Sequence, residues 1–566
     1  MRKKRFIRVS CCMLIMLSMI MSLMSCGKAQ GDSKAPDTSA KGTEAGSSDG
    51  NSNDGNNGKD SSNDNDGNNG KESSNDNNGS DGSAAAYADH LEVVIDNTQI
   101  AAINPIGSGG PGSATGWVYK MVYDTLVTWD GEGGYLPGLA TSWESDDWKT
   151  IIFHLRDDIR FSNGELFTAD DVVFTIEQAL QNPGSVAGGQ WSSVEAIEAL
   201  DATTVKMTLK SVRPQILFDA CQTYAAMMCK KAVEDDPERG VWIGTGTYTI
   251  TEFASNDFVK LTRNENYWGE LPPTKTMTLR YIPEMSTRLM MLQNGEADIC
   301  FNLSEQDLPL IEADTDNYNL YTYLANNCSD IGFNMNDPIC GDLNFRMAVA
   351  SALNREDIAI GANGVYAEPE TTGTFWGSGT PFRNEDIPII PYDLEKAKEY
   401  LAASPYNGEE IELVTAIPTM INASAVIQQQ LSEIGIKITI KQTDPASLMS
   451  YASYGSKEMQ MFCFVGAFGF EPYSATYGIF YPAAMQNRTS YDNPEIVSIL
   501  EKAATETDPA KQQEYYYNIQ ELVAKDIPYI NLFYVKQAIA SVKSVGGLVL
   551  SNDGGHDLRY MYKTID

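Results

Sequence analysis

Three histidines, His90, His154 and His556, are scattered through 566 residues, and none has the His-x-x-x-His or His-Glu context of a zinc hydrolase. No nucleophile elbow or Walker loop stands between a strand and a helix. The one glycine-rich match, Gly-x-Gly-x-x-Gly at 107–112, is flanked by Pro105 and Pro111 and lacks the acidic strand end that dinucleotide binding needs. Acidic pairs such as Asp170-Asp171 abound, but the latter is explained by its place in the first turn of a helix. Two carboxylates would suffice for a glycoside hydrolase; no pair here has a context that singles it out. The stretch 462–473, Phe-Cys-Phe-Val-Gly-Ala-Phe-Gly-Phe-Glu-Pro-Tyr, is a different matter. It sets Phe468, Phe470 and Glu471 after an apolar strand, aromatic faces beside one acid, which is binding chemistry and not turnover. No cofactor or metal site is expected.

The elements that would carry such a site can be read from periodicity. Residues 248–253 and 258–263 alternate about Ser255-Asn256-Asp257, the pattern of a hairpin. Pro272-Pro273 then stops the sheet, and a strand at 277–282 is followed by a helix with Ser286 at its N-cap and Gly295 beyond its end. This break reads as the place where the chain leaves one lobe for another. Residues 149–156 form a strand, Asn163-Gly164 a turn, and Thr168 with Asp171 a capping pair before the apolar face Val172, Val173, Ile176 and Leu180. Further on, strand 411–416, a helix from Ile421 to Ile434 and the alternating Ile436, Ile438 and Ile440 suggest a parallel crossover. The fold class expected is α/β.

Composition limits the partners. Lys and Arg number 41 against 76 Asp and Glu, a net charge of −35. The first 86 residues are close to neutral, so the acidity belongs to the folded part, and such a surface repels nucleic acid. Arg2, Lys3, Lys4, Arg5 and Arg8 precede an uncharged run at 9–27 that ends Leu-Met-Ser-Cys-Gly, which resembles a bacterial lipobox with Cys26 as the lipidated residue. Residues 27–86 are Gly, Ser, Asn, Asp and Lys with a tandem repeat at 55–66 and 67–78, too polar to bury a core. Six cysteines remain beyond the leader: Cys221, Cys229, Cys300, Cys328, Cys340 and Cys463. Export permits disulfides, while a chain of this size can equally keep buried thiols.

Several blocks in their order resemble the extracellular solute-binding proteins of ABC importers that include dipeptide, oligopeptide and nickel binders. They are Pro-Gly-Leu-Ala-Thr-Ser-Trp-Glu at 137–144, Leu155-Arg156 followed by Phe161 to Val172, Gly-Thr-Gly-Thr-Tyr at 244–248, Arg263 to Gly269, Leu292 to Asp298, and Phe333-Asn334 through Arg346, Ala348, Ala352, Asn354 and Arg355. The resemblance runs from about 90 to 566. It implies a two-lobed periplasmic-binding-protein-like fold of type II, with an extra subdomain in the first lobe and a ligand cleft between lobes. The expected plan is a leader at 1–25, a lipidated linker at 26–86, lobe 1 at 87–271 and 535–566 with a subdomain at about 135–240, and lobe 2 at 272–534. The implied partners are ABC permease subunits, a lipid anchor and a peptide or oligosaccharide ligand. In peptide-binding relatives an aspartate pairs with the ligand ammonium group where Phe468 stands here. Glu471 or another acid takes that part, or the ligand has no free amine. Other candidates for the cleft wall are Trp117, Tyr119, Trp191, Trp376, Asn487 and Arg488. Replacing Cys26 by Ala is expected to move the protein from the membrane to the soluble fraction, read by fractionation and blotting; retention at the membrane would remove the lipobox reading.

Overall fold

The computed structural model describes residues 86–95, 100–107, 113–130, 134–466, 471–484 and 486–565. The leader, Cys26, the linker, Gly109 and the rest of the glycine loop at 108–112, and Phe468 and Phe470 lie outside these. Residues from Ala85 onward form one compact unit.

In chain order, β1 (Ala86–Tyr87) precedes β2 (His90–Ile95) and α1 (Ala114–Val122). A layer of its own follows. Strands β3 (Ala140–Glu144), β4 (Thr150–Leu155), β5 (Val194–Asp201) and β6 (Thr204–Leu209) form an antiparallel sheet in the order β3-β4-β6-β5. Helices α2 (Ala169–Gln181) and α3 (Ile216–Cys221) accompany it, and Ile151, Phe153, Val172, Ile176, Trp191 and Val205 fill its core. The alternation of β4 explains the packing: Ile151, Phe153 and Leu155 face inward while Thr150, Ile152 and His154 do not. Asp171 accepts the backbone N–H of Thr168, as the capping pair required.

The chain then enters a sheet of eleven strands. The hairpin β7 (Tyr248–Ala254) and β8 (Phe258–Arg263) turns at Asn256, whose φ is +57°. Next come β9 (Thr276–Tyr281), α4 (Met285–Asn294), β10 (Ile299–Phe301) and the long β11 (Tyr318–Phe333). Helix α4 starts two residues earlier than Ser286 as N-cap suggested, with Glu284 at its N-cap, and ends at Gly295 with φ +73°. After α5 (Leu343–Ala352) and α6 (Arg355–Asn363) come β12 (Glu410–Thr415), α7 (Pro418–Glu433), β13 (Lys437–Gln442) and β14 (Met461–Gly466). Helices α8 (Pro472–Phe480), α9 (Pro494–Ala503) and α10 (Pro509–Asp526) lead to β15 (Tyr529–Val542) and the terminal β16 (Tyr562–Ile565), which pairs with β1. The sheet order is β13-β12-β14-β11-β15-β10-β2-β9-β8-β7, and a short eleventh strand, Ala367–Pro369, pairs with β15 off this path. Strands β12 and β13 are parallel, as a crossover through α7 demands.

This order corrects the reading of Pro272-Pro273. Strand β9, just after the prolines, pairs antiparallel with β8 and parallel with β2, so the chain stays in the first lobe's sheet. The prolines end a loop, not a lobe. The strands that pass through both lobes are β11 and β15. They pair from Tyr318–Val542 to Leu324–Lys536 beside β10, slip register, and resume at Cys328–Tyr534 where β14 joins them. The first lobe's core gathers around Leu91, Val93, Val118, Leu279 and Phe301. The second lobe packs α5, α6 and α7 on one sheet face and α8, α9 and α10 on the other.

Side-chain contacts show why the sequence blocks recur as scaffold. The Trp268 indole donates to Asp124 at 3.0 Å, and the Arg156 guanidinium lies 4.7 Å above its ring while held by Asp158. A Cβ on Gly244 would sit 2.0 Å from the Val122 carbonyl oxygen, and one on Gly246 would sit 2.6 Å from that of Met121. Arg346 donates to the carbonyls of Cys340 and Asp526, and Arg355 to that of Asn531. All six cysteines are free thiols, five of them buried and Cys221 half-buried. Gly244→Ala must push apart β7's approach and α1, and a loss of about 1–3 kcal/mol is expected by denaturant titration, the range typical of overpacking.

Candidate functional site

A cavity of about 240 Å³ opens where the antiparallel subdomain meets the second lobe, lined by Gly189, Gln190, Ser192, Ser193, Arg213, Phe218, Asp219 and Ser474. The subdomain side is held by α3. Its apolar run Ile216-Leu217-Phe218-Asp219-Ala220-Cys221 carries one acid, and that acid is only 4% exposed. Arg213 donates to Asp219 from Nε at 3.1 Å and from Nη2 at 3.0 Å, and the Gln190 amide adds a bond of 2.6 Å. The second-lobe side is the start of α8. Glu471, 8% exposed, caps it by accepting the N–H groups of Tyr473 at 3.0 Å and Ser474 at 2.6 Å. Burial raises the Asp219 carboxyl to about 6; Arg213 opposes this, and Glu471 on the other lobe adds to it. The trio Asp219, Arg213 and Glu471 thus carries a net single negative charge around a cavity made by both lobes.

A second charged group lies at the edge of the second lobe's sheet. Gly466 of β14, Cys328 of β11 and Tyr534 of β15 form the row at its cleft end, and Phe464, Asp330 and Asn531 form a row just inside. Cross-strand partners share a face. Asp330 is 2% exposed and its Oδ1 has no hydrogen-bond partner; the same is true of Asn531 Oδ1. Two buried acceptors side by side need a proton between them or nearby. Burial raises the Asp330 carboxyl to about 8, with Arg488 opposing the shift, so the protonated acid is the form that suits the site at neutral pH.

The residues singled out from sequence are distributed as follows. Trp117 and Tyr119 are buried in the first lobe. The Trp117 indole donates to the Gly554 carbonyl at 2.7 Å and packs against Phe301 and His556, and the Tyr119 hydroxyl accepts from Asn104 N–H at 2.9 Å. Trp191 is buried in the subdomain core, next in sequence to Gln190 of the cavity. Trp376 is buried in the second lobe and stacks on Phe480 of α8. Asn487 is fully buried and staples its loop, donating to the carbonyls of Tyr481 and Tyr491 and accepting from Tyr491 N–H. Arg488 is half-buried with its guanidinium 4.9 Å above the Phe464 ring. Glu471 is the candidate that meets the cavity, through Ser474. Asp219, Arg213 and Asp330 were missed. An acid inside an apolar run marks Asp219, a signal diluted by the excess of acids elsewhere, while Asp330 follows Asn326-Asn327-Cys328-Ser329 and has no such mark. Among the described residues no cluster of His, Cys, Asp and Glu is placed to hold a metal.

A two-lobed body joined by two strands, with a polar cavity between subdomain and second lobe, defines a binding protein of the type II periplasmic class. The family model for bacterial extracellular solute-binding proteins, family 5, matches residues 134–487, and the chain belongs to that family. It is similar to the nickel-binding periplasmic protein of Escherichia coli, with 25% identity over 76% of this chain and 86% of that one. To the glutathione-binding protein GsiB of Escherichia coli it is 26% identical over 84% and 94%. The ABC transporter substrate-binding protein CtaP of Listeria monocytogenes superposes with a TM-score of 0.75 at 26% identity, over 85% of this chain and all of that one. This protein is therefore a substrate-binding component of the ABC importer class, extracytoplasmic like its relatives. No helix among the described residues is long and apolar enough to cross a membrane.

The buried Asp330 gives a stability test. Its folded pKa of about 8 lies above the ordinary 3.8, so the folded state holds the proton more tightly, and stability present at low pH is lost as pH rises toward and through 8. Asp330→Asn cannot ionise. Relative to the wild type it should gain stability between pH 5 and 9, by more than about 1.4 kcal/mol at the alkaline end, the equivalent of one pKa unit. Parallel pH dependences in thermal melts of the two proteins would contradict this.

Proposed function

We propose that this protein captures extracellular peptides by closure of its two lobes and delivers them to a membrane permease, held at the cell surface by the lipidated Cys26. The observation that carries the reading is the charge at the cavity. Asp219 and Glu471 approach from opposite lobes, and Glu471 adds to the cost of ionising Asp219, which Arg213 offsets only in part. An α-ammonium group supplies a further cation there and makes closure favourable, the differential contact that a ligand-driven change of state needs. Glu471 and Asp219 together take the part expected of an aspartate at Phe468. Trp117, Tyr119, Trp191, Trp376 and Asn487 serve in this reading as packing within the lobes and not as ligand contacts.

An oligosaccharide is the competing ligand, and one feature bears on it. Tyr473, Tyr477 and Tyr481 stack along α8, with centroids 5.7 and 4.4 Å apart. Tyr477 lies between the other two, so both of its ring faces are taken. That leaves a poorer platform for a sugar than separate rings would give. A neutral sugar also leaves the negative charge at the cavity uncompensated.

Thermal-shift and native mass spectrometry with peptide and oligosaccharide panels test the proposal. Peptides with a free amino terminus should bind and raise the melting temperature, and N-acetylation should weaken binding about tenfold or more, as expected on losing a charge-assisted contact. Stabilisation by sugars alone would overturn it. Asp219→Asn should weaken peptide binding and narrow the gap between free and N-acetylated forms.

A further inference from the structure

The second-lobe loop that follows Glu370 carries Phe375-Trp376-Gly377-Ser378-Gly379, two large rings beside two glycines. The rings face the second lobe's core. Phe375 meets Phe480 of α8 edge to face, and Trp376 stacks on the same ring with centroids 5.9 Å apart. Gly377, the next residue, lies instead against Asn326, in the register slip of β11. A Cβ on Gly377 would sit 2.3 Å from the Asn326 carbonyl oxygen and 2.4 Å from its Oδ1. Glycine alone permits so close an approach. The Asn326 amide also donates to the Thr380 hydroxyl at 3.4 Å.

The two sides of this contact are anchored in opposite lobes. Behind Gly377, the Thr374 hydroxyl donates to Gln520 of α10 at 2.7 Å, the Asn384 N–H donates to the same oxygen at 2.8 Å, and Arg383 pairs with Glu370 at 3.0 Å. On the other side, the Asn326 N–H donates to the Asn552 carbonyl at 2.8 Å. That loop belongs to the first lobe, where the Trp117 indole of α1 donates to the Gly554 carbonyl at 2.7 Å. Asn326, 2% exposed, is therefore gripped by one lobe at its N–H and by the other at its carbonyl. Helix α8 closes the circuit, since it carries Phe480 under Trp376 and Ser474 at the cavity.

We propose that the seat of Gly377 on Asn326 holds the lobes in the arrangement where both line the cavity, and so scales the affinity for every ligand by one common factor. A side chain at 377 raises the energy of that arrangement and leaves untouched any arrangement in which the second-lobe loop has swung off the slip. The apparent dissociation constant is the intrinsic one divided by the populated fraction of the competent state, so the change is the same whatever is bound. A residue that touches the ligand would instead distinguish one ligand from another. The proposal rests on lobe closure as read above and is indifferent to the chemistry of the ligand.

The test compares wild type, Gly377→Ala, Thr380→Val and Gly373→Ala. Gly373 is the control: a Cβ there would sit 2.3 Å from the Pro388 carbonyl oxygen, a contact wholly inside the second lobe. Calorimetry with several peptides of unlike sequence that bind the wild type should show Gly377→Ala weakening all of them by one factor, about fivefold or more. Thr380→Val, which keeps the glycine, should act in the same direction by about twofold, and Gly373→Ala should leave affinity within about twofold while lowering the melting temperature. Small-angle scattering of the unliganded full chain carrying Cys26→Ala should give a larger radius of gyration for Gly377→Ala than for the wild type. Losses that differ between peptides, or equal losses in the Gly377 and Gly373 variants, would overturn the inference. If the wild type contracts on binding and Gly377→Ala matches it in radius and affinity, this inference falls and closure stands. If the wild type binds without contracting, both fall. If no peptide binds, the peptide reading falls and the unliganded radii decide this one.

Discussion

Two strands carry the whole connection between the lobes. Strands β11 and β15 run as one pair through both halves of the sheet and slip register between Leu324 and Cys328, with a second, smaller shift between Ser329 and Asp330. Everything else depends on that slip. Continuous backbone pairing on either side keeps each lobe stiff, and the few residues released from the ladder are where φ and ψ can change. Asn326 sits in this gap. Its N–H donates to the Asn552 carbonyl at 2.8 Å, and Gly377 of the second lobe closes on its carbonyl so tightly that a Cβ there would lie 2.3 Å away. The bend therefore has a first-lobe loop on one side and a second-lobe loop on the other, and both must follow it.

The cavity is placed by the same constraint. With the second lobe set on these two strands, the start of α8 stands opposite the subdomain carrying α3, and Glu471 and Ser474 lie across the cavity from Arg213 and Asp219. The subdomain adds wall without adding a hinge, because its four-stranded sheet has its own core and no strand in common with the larger sheet. Charge sits on the elements that meet, while the aromatic bulk sits behind them.

Much of this was legible in the sequence because it is local. The hairpin at Asn256, the capping pair Thr168 and Asp171, the end of α4 at Gly295 and the β12–α7–β13 crossover all follow from spacing and turn chemistry within some thirty residues or fewer. The family blocks were legible too, and the structure gives their reasons in Trp268 on Asp124 and the glycines against α1. What failed was nonlocal. Pro272-Pro273 looked like a change of lobe, but parallel pairing of β9 with β2, nearly two hundred residues earlier, decides otherwise. The acids Asp219 and Asp330 were lost among many others, since only burial distinguishes a carboxylate that shapes a site from one that keeps a surface soluble. Arg488 was visible as a candidate, and its seat over the Phe464 ring was not.

The pairing of β1 with β16 has one more consequence. Both ends of the folded body are stitched together on the first lobe's side, Ala86 to Ile565 and Tyr87 to Thr564. The described chain thus begins and ends on one side of the molecule, so a label joined at Ala86 or at Ile565 reports on the first lobe and leaves the second lobe's surface untouched.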